Sequence, residues 1–165
     1  METPITETGC CPHFDPQPWD ETLHEWHEKP FVKATVKTLF FMPLNFGSVM
    51  TRLMKQLDAV GATVPEGLGL SDHRTRWSMD IYVAVDKPVE GLENQTLSGN
   101  FFSKVYEGPY GQTAAWCKDF ETVVAQRQLK VRKWYMWYNY CPKCAKAYGK
   151  NYTTIIAAVE PDKLQ

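Results

Sequence analysis

From Phe31 the chain alternates apolar and polar positions through FVKATVKTLFF as far as Pro43, the two-residue period of a strand. The period then changes. Phe46, Val49, Met50, Leu53, Met54, Leu57 and Val60 recur at steps of three and four, which predicts an amphipathic helix stopped by Gly61. Gly67 and Gly69 fall in a loop before Leu70, and WSMDIYVAV (77–85) alternates again as a half-buried strand closed by Lys87-Pro88. A similar series follows. The segment NFFSKVYEG (100–108) reads as a strand, and Pro109 opens a helix with the apolar stripe Trp116, Phe120, Val123 and Val124. VRKWYMWY (131–138), a loop and YTTIIAAV (152–159) complete it.

The order strand, helix, strand, strand therefore occurs twice, with Phe41-Met42-Pro43 and Glu107-Gly108-Pro109 at the same junction in each half. An internal duplication is the simplest account. It predicts an α+β domain over residues 31–160 with an antiparallel sheet, in pseudo-symmetric halves of about 31–90 and 97–160. Each half alone has one helix against a small sheet and is marginal; together they bury a common core and leave a cleft where their sheets meet. Residues 1–30 hold Pro4, Pro12, Pro16 and Pro18 without sustained periodicity, and read as an N-terminal arm pinned by Trp19, Trp26 and Phe31.

Composition narrows the partners. With 18 basic and 19 acidic residues the formal charge is -1, so no bulk positive field is available to hold a nucleic-acid backbone or an anionic membrane. A small-molecule partner is expected instead. No stretch approaches the roughly 18 consecutive apolar residues of a spanning helix, and METPITETGCCPHFDP lacks the basic and apolar regions of a secretion signal, so a cytoplasmic protein is expected. The aromatic residues are concentrated, with Trp134, Tyr135, Trp137, Tyr138, Tyr140, Tyr148 and Tyr152 in one stretch. Such side chains combine large apolar area with a polar tip, which suits a binding cleft. The sequence does not specify an oligomeric state.

The run KVYEGPYGQTAAWCKDFETVVAQ (104–126), in which a strand ends at Gly108-Pro109-Tyr110 and a Trp-bearing helix begins, resembles GyrI-like (gyrase-inhibitor-like) domains. The resemblance covers residues 31–160. It implies a pair of strand-helix-strand-strand units forming one pseudo-symmetric GyrI-like domain with a small-molecule cleft between them, of the kind that serves as effector-binding module in AraC-type and multidrug-sensing regulators. CCPHFDPQPWDE, FFMPLNFG, KWYMWY and CPKCAKAYGKNY further resemble a stand-alone branch whose members often carry the label hydrolase. Some GyrI-like proteins open strained cyclopropane rings, so the resemblance also implies hydrolysis of strained or activated small molecules as an alternative. One departure stands out: where many members have a carboxylate ahead of a tyrosine, matched to Tyr138, this chain has Met136. The proline-broken arm is too short for a helix-turn-helix, so a self-contained transcription regulator is not expected.

Strand parity supplies the site candidates. Trp77, Met79, Ile81, Val83 and Val85 share the face that packs on the helices, leaving Asp80 and Tyr82 toward either a ligand cleft or solvent. A carboxylate among aromatic rings there would pair with a ligand cation. Trp134, Met136 and Tyr138 lie on one face of the later strand and Tyr135 and Trp137 on the other; both faces are aromatic, so parity does not choose the cleft side. Tyr106 is either a cleft phenol or a core tyrosine. The expected ligand residues are thus Asp80, Tyr82, Tyr106, Trp134, Met136, Trp137 and Tyr138.

Cys141 and Cys144 form CPKC, a spacing that reaches one tetrahedral zinc, and Cys10 and Cys11 would complete a structural site if the arm folds back; the alternative is free thiols. CPKC opens no clear helix, which argues against a thioredoxin-like role. His24 and His27 are three apart and fail the zinc-protease spacing, and Gly67-Leu68-Gly69 lacks the third glycine of a dinucleotide loop. His73, beside Asp72, is a candidate general base without a recognisable nucleophile. The functions in contention are a ligand-binding module, a small-molecule hydrolase and a zinc-stabilised interaction protein.

Overall fold

Two groups of elements with the same internal order make up the computed structural model, which describes residues 13–40, 42–140 and 142–161, with backbone alone at 42, 43, 142, 143 and 161. One unit is Trp26–Ser98, here the inserted unit; the other joins Met1–Glu25 to Gly99–Gln165, here the flanking unit. The architecture is α+β, with antiparallel strand pairing in each unit.

In the inserted unit, strand β1 (Thr22–Leu39, which starts in the flanking unit) is followed by β2 (Met42–Pro43), α1 (Phe46–Ala59), β3 (Gly69–Asp72) and β4 (Ser78–Ala84). The sheet order is β2-β1-β4-β3, so α1 carries the chain from β1 to β3 and β4 returns between them. Val49, Leu53 and Leu57 of α1 meet Val32, Val36, Met79, Ile81 and Val83 in an aliphatic core. That is the strand face assigned by parity, except for Trp77, which lies before β4 and is exposed. Gly61 follows the helix at φ +67°, a left-handed conformation suited to glycine.

The flanking unit contains most of β5 (Glu93–Glu107), then α2 (Thr113–Gln126), β6 (Leu129–Tyr138), α3 (Pro142–Tyr148) and β7 (Tyr152–Pro161), in the order β6-β7-β5. Again the last strand is central. Trp116, Phe120, Val123 and Val124 of α2 pack on Phe102, Tyr106, Met136, Ile155 and Ala157. Gly108, at φ +142°, makes the entry turn: a Cβ there would stand 3.0 Å from Gln112 Oε1 and 3.5 Å from Trp116 Cζ2. Pro109 then leads through a single 3-10 turn, Tyr110–Gln112, into α2.

Four features differ from the sequence reading. Strand β1 begins at Thr22 rather than Phe31, inside the stretch expected to be an arm. Its alternation is real, but half-buried His24 and Trp26 carry it in place of aliphatic residues. Strand β5 begins at Glu93 rather than Asn100, because ENQTLSG is polar and mostly exposed and gives no hydrophobic signal. Strand β3 occupies what was read as a loop; four residues are too few to declare a period. Finally, CPKC does lead into a short helix, α3, with Pro142 at its first position. Among the described residues no helix is long and apolar enough to cross a membrane.

Candidate functional site

On the side of the inserted sheet opposite α1, cross-strand pairing aligns Thr35, Asp80 and Asp72 in one row and Lys33, Tyr82 and Leu70 in the next. Asp80 is only 1% exposed. A carboxylate so buried requires partners. Thr35 Oγ1 donates to Asp80 Oδ1 at 3.1 Å, Arg74 Nε lies 2.9 Å from Oδ2, and Lys33 Nζ lies 3.7 Å from the same oxygen. Lys33 also stands 6.0 Å above the Tyr82 ring and 4.0 Å from Glu93 Oε1. Two carboxylates, Asp80 and Glu93, therefore meet two cations, Lys33 and Arg74, and Asp72 stands beside Asp80 in the strand register. The side chain of Arg74 is 47% exposed, so the strongest partner of the buried acid is itself half in water.

His73 follows Asp72 directly. Burial lowers its pKa, outweighing the opposing pull of the Asp72 charge, so the imidazole is neutral at pH 7.

The sequence-derived residues of the flanking unit divide between two faces. Tyr106, Trp134, Met136 and Tyr138 lie under α2: Tyr106 stacks on Trp116 with centroids 5.7 Å apart, and Trp134 meets the Phe120 edge at 4.8 Å. The Tyr106 hydroxyl donates to Asp119 Oδ2 at 2.7 Å, and Lys104 Nζ reaches the same oxygen at 2.8 Å. Burial, then the hydrogen bond to that carboxylate, raises the Tyr106 pKa, while the bonds from Lys104 and Tyr106 lower that of Asp119. Burial also pushes Tyr138 up to about 12. Cys117, raised by burial and by Glu121, stays a thiol. These phenols and this thiol are neutral packing groups near pH 7.

Trp137 faces the other way, toward residues of the N-terminal segment. Phe14 and Trp19 both meet it edge-on, at 5.2 and 4.9 Å. The Phe14 N–H donates to the Tyr140 hydroxyl at 2.8 Å, and the Ser103 hydroxyl donates to the Trp19 carbonyl at 2.6 Å. His24 Nε2 lies 2.8 Å from Ser103 Oγ. Because Ser103 gives its single proton to Trp19, His24 is the donor in that pair, the reverse of a histidine activating a serine nucleophile.

A recess of about 210 Å³ is walled by Ala34 and Thr35 of β1, by Val49, Leu53 and Gln56 of α1 and by Leu92, so it opens toward α1 rather than on the Asp80 face. A larger one, about 590 Å³, runs over the outer side of α1 between Gly47 and Ala59 and touches none of the sequence-derived ligand residues. The structure thus brings Asp80 and Tyr82 together with Lys33, Thr35 and Arg74, three residues the sequence reading missed. The alternation already applied to β4, if run along β1, separates Lys33 and Thr35 from Val32, Ala34 and Val36.

Of the zinc candidates, Cys10, Cys11 and Cys141 lie outside the described residues, and Cys144 is buried with Tyr140 and Tyr152. Among the described residues, no three His, Cys, Asp or Glu side chains are grouped to hold a metal.

Comparison with known proteins places this arrangement. The family described as Bacterial hydrolase matches residues 1–159. The chain belongs to the bacterial hydrolase family. Among solved structures, the EcmrR C-terminal domain is similar at TM-score 0.62 and 13% identity, over 87% of this chain and 98% of that one. EcmrR in an EcmrR–DNA complex is similar at TM-score 0.59 and 13% identity, over 85% of this chain and 57% of that one. At such identity the likeness establishes a shared fold, consistent with the GyrI-like resemblance. No curated protein matches.

Proposed function

We propose that this member of the bacterial hydrolase family is a small-molecule-binding protein of the GyrI-like type, which sequesters or senses a lipophilic organic cation at the Asp80 face of the inserted unit. The observation that carries the reading is the buried Asp80 carboxylate whose closest cation, Arg74, is half exposed. A ligand ammonium or phosphonium replaces the guanidinium at modest cost, since Arg74 regains water when released. The buried Asp80 carboxylate and the Tyr82 ring beneath Lys33 favour a cation over an anion. The likeness to the EcmrR C-terminal domain supports the fold on which this reading rests. DNA, present in one EcmrR structure, has no place in this reading, given the net charge of -1.

The test is calorimetric titration with tetraphenylphosphonium and with uncharged triphenylphosphine oxide. Micromolar binding of the cation, weakened about tenfold or more by Asp80→Asn with the neutral compound unaffected, is the expected result. Absence of binding by the phosphonium rejects the reading.

The family description favours a second reading, hydrolysis of a strained or activated small molecule. Its physical support is the cross-strand carboxylates Asp72 and Asp80 beside the neutral imidazole of His73, groups suited to proton transfer to and from an attacking water. Turnover of a cyclopropane-bearing alkylator beyond one equivalent, abolished by His73→Gln, distinguishes it from binding alone.

A further inference from the structure

The inserted unit carries an exposed apolar patch that its core does not use. Phe40 is 63%, Leu44 65% and Trp77 54% exposed, with Leu39 and Phe46 also exposed. They belong to two loops held together. The Thr38 N–H donates to the Trp77 carbonyl, the Thr38 hydroxyl to the Arg76 carbonyl, and the Leu44 N–H to the Lys37 carbonyl. The Phe40 and Trp77 rings meet at 5.3 Å. Phe40 also takes φ +48°, a strained backbone for a bulky residue, so both its exposure and its conformation are unfavourable in the free chain.

The charges on these two loops have one sign. Residues 31–57 contain no Asp or Glu but include Lys33, Lys37, Arg52 and Lys55, and the loop between Asp72 and Asp80 adds Arg74 and Arg76. Lys33 and Arg74 are engaged with Asp80, and both bounding aspartates are buried. Lys37, Arg52, Lys55 and Arg76 are exposed, and no ion pair among the described residues takes them up. The whole-chain charge of -1 therefore conceals two exposed cations, Lys37 and Arg76, on the same loops as the aromatic and aliphatic side chains.

We propose that this patch docks the protein on an anionic lipid surface, with Phe40, Leu44 and Trp77 entering the headgroup region and Lys37 and Arg76 pairing with lipid phosphates. Trp and other apolar side chains flanked by Lys and Arg are the composition that partitions to that interface, and each cation near it adds affinity. A second copy of this chain is disfavoured as the occupant, because an isologous contact brings the same two cations against their own copies. The mode is attachment without spanning, and it stands independently of the ligand reading at Asp80.

Co-sedimentation of the full chain with phosphatidylglycerol–phosphatidylcholine vesicles and with phosphatidylcholine vesicles tests the proposal. Binding to the anionic vesicles only, weakened by salt, is expected. The double variant Phe40→Ser/Trp77→Ser lowers it about tenfold or more, and Lys37→Gln or Arg76→Gln about fivefold each. Leu23→Ser, which removes an exposed leucine of the flanking unit, leaves it unchanged. All these sites are exposed, so unaltered thermal unfolding accompanies the loss. Failure of the wild type to sediment, or equal loss in Leu23→Ser, overturns the proposal. A poly-glutamate peptide that binds as tightly as the vesicles also does so, as does a solution dimer dissociated by Phe40→Ser/Trp77→Ser.

Discussion

The two units share one order of elements but fill it with different chemistry. In the inserted unit the core under α1 is built from Val, Leu, Ile and Met, and the opposite sheet face carries the charges Lys33, Asp72 and Asp80. In the flanking unit the core under α2 mixes aliphatic side chains with the aromatic Phe102, Tyr106, Trp116 and Phe120, and Trp137 on the opposite face is met by Phe14 and Trp19. A purely aliphatic core makes no hydrogen-bond demand. The mixed one includes phenols that need partners, and it meets part of that demand at the surface, where Tyr106 reaches Asp119. Chemistry suited to a charged ligand is thus concentrated in the unit whose core is chemically simplest.

Substitutions can break this contrast. Phe120→Ala, at a fully buried ring, should cost the flanking unit about 4 kcal/mol in denaturant unfolding, and Leu57→Ala should cost the inserted unit about 3 kcal/mol. Asp80→Asn should cost about 2 kcal/mol, less than a fully enclosed ion pair, because Arg74 can turn to water. Tyr106→Phe removes one hydroxyl from a half-exposed carboxylate and should cost about 1 kcal/mol or less. If Tyr106→Phe proved more damaging than Asp80→Asn, the polar burden would lie in the flanking unit and the contrast would fail.

Titration sharpens the same comparison. Tyr106 and Tyr138 have folded pKa values raised above the ordinary 10, so their contribution is complete below pH 10 and declines as pH climbs from 10 toward 12. His73 has a folded pKa lowered from 6.5, so its contribution is complete above that pH and declines as pH falls below it. Melting temperatures measured across pH should fall at both edges. Tyr106→Phe/Tyr138→Phe should flatten only the alkaline edge, and His73→Gln only the acid one.

The doubled plan was legible because hydrophobic period survives in a single sequence: the α1 stripe, the position of β4 and the Gly108-Pro109 turn stand where the pattern puts them, although β4 is buried on both faces rather than half-buried. What escaped had no apolar period to read. Strand β3 is four residues long, the start of β5 is polar, and α3 is a single short helix after a proline. At the site, parity placed Asp80 and Tyr82 away from the helix face. The partners of Asp80 come from a neighbouring strand and from the loop after β3, and register between strands is not written in local pattern. The aromatic density of residues 134–152 is, for Trp134, Met136 and Tyr138, packing under α2.

The ligand account turns on Arg74 and an incoming cation competing for one carboxylate. Calorimetric titration of tetraphenylphosphonium into the Arg74→Gln variant tests it most directly. The account predicts binding several-fold tighter than in the wild type, because the internal competitor is gone. Affinity unchanged or weakened by that substitution would contradict it.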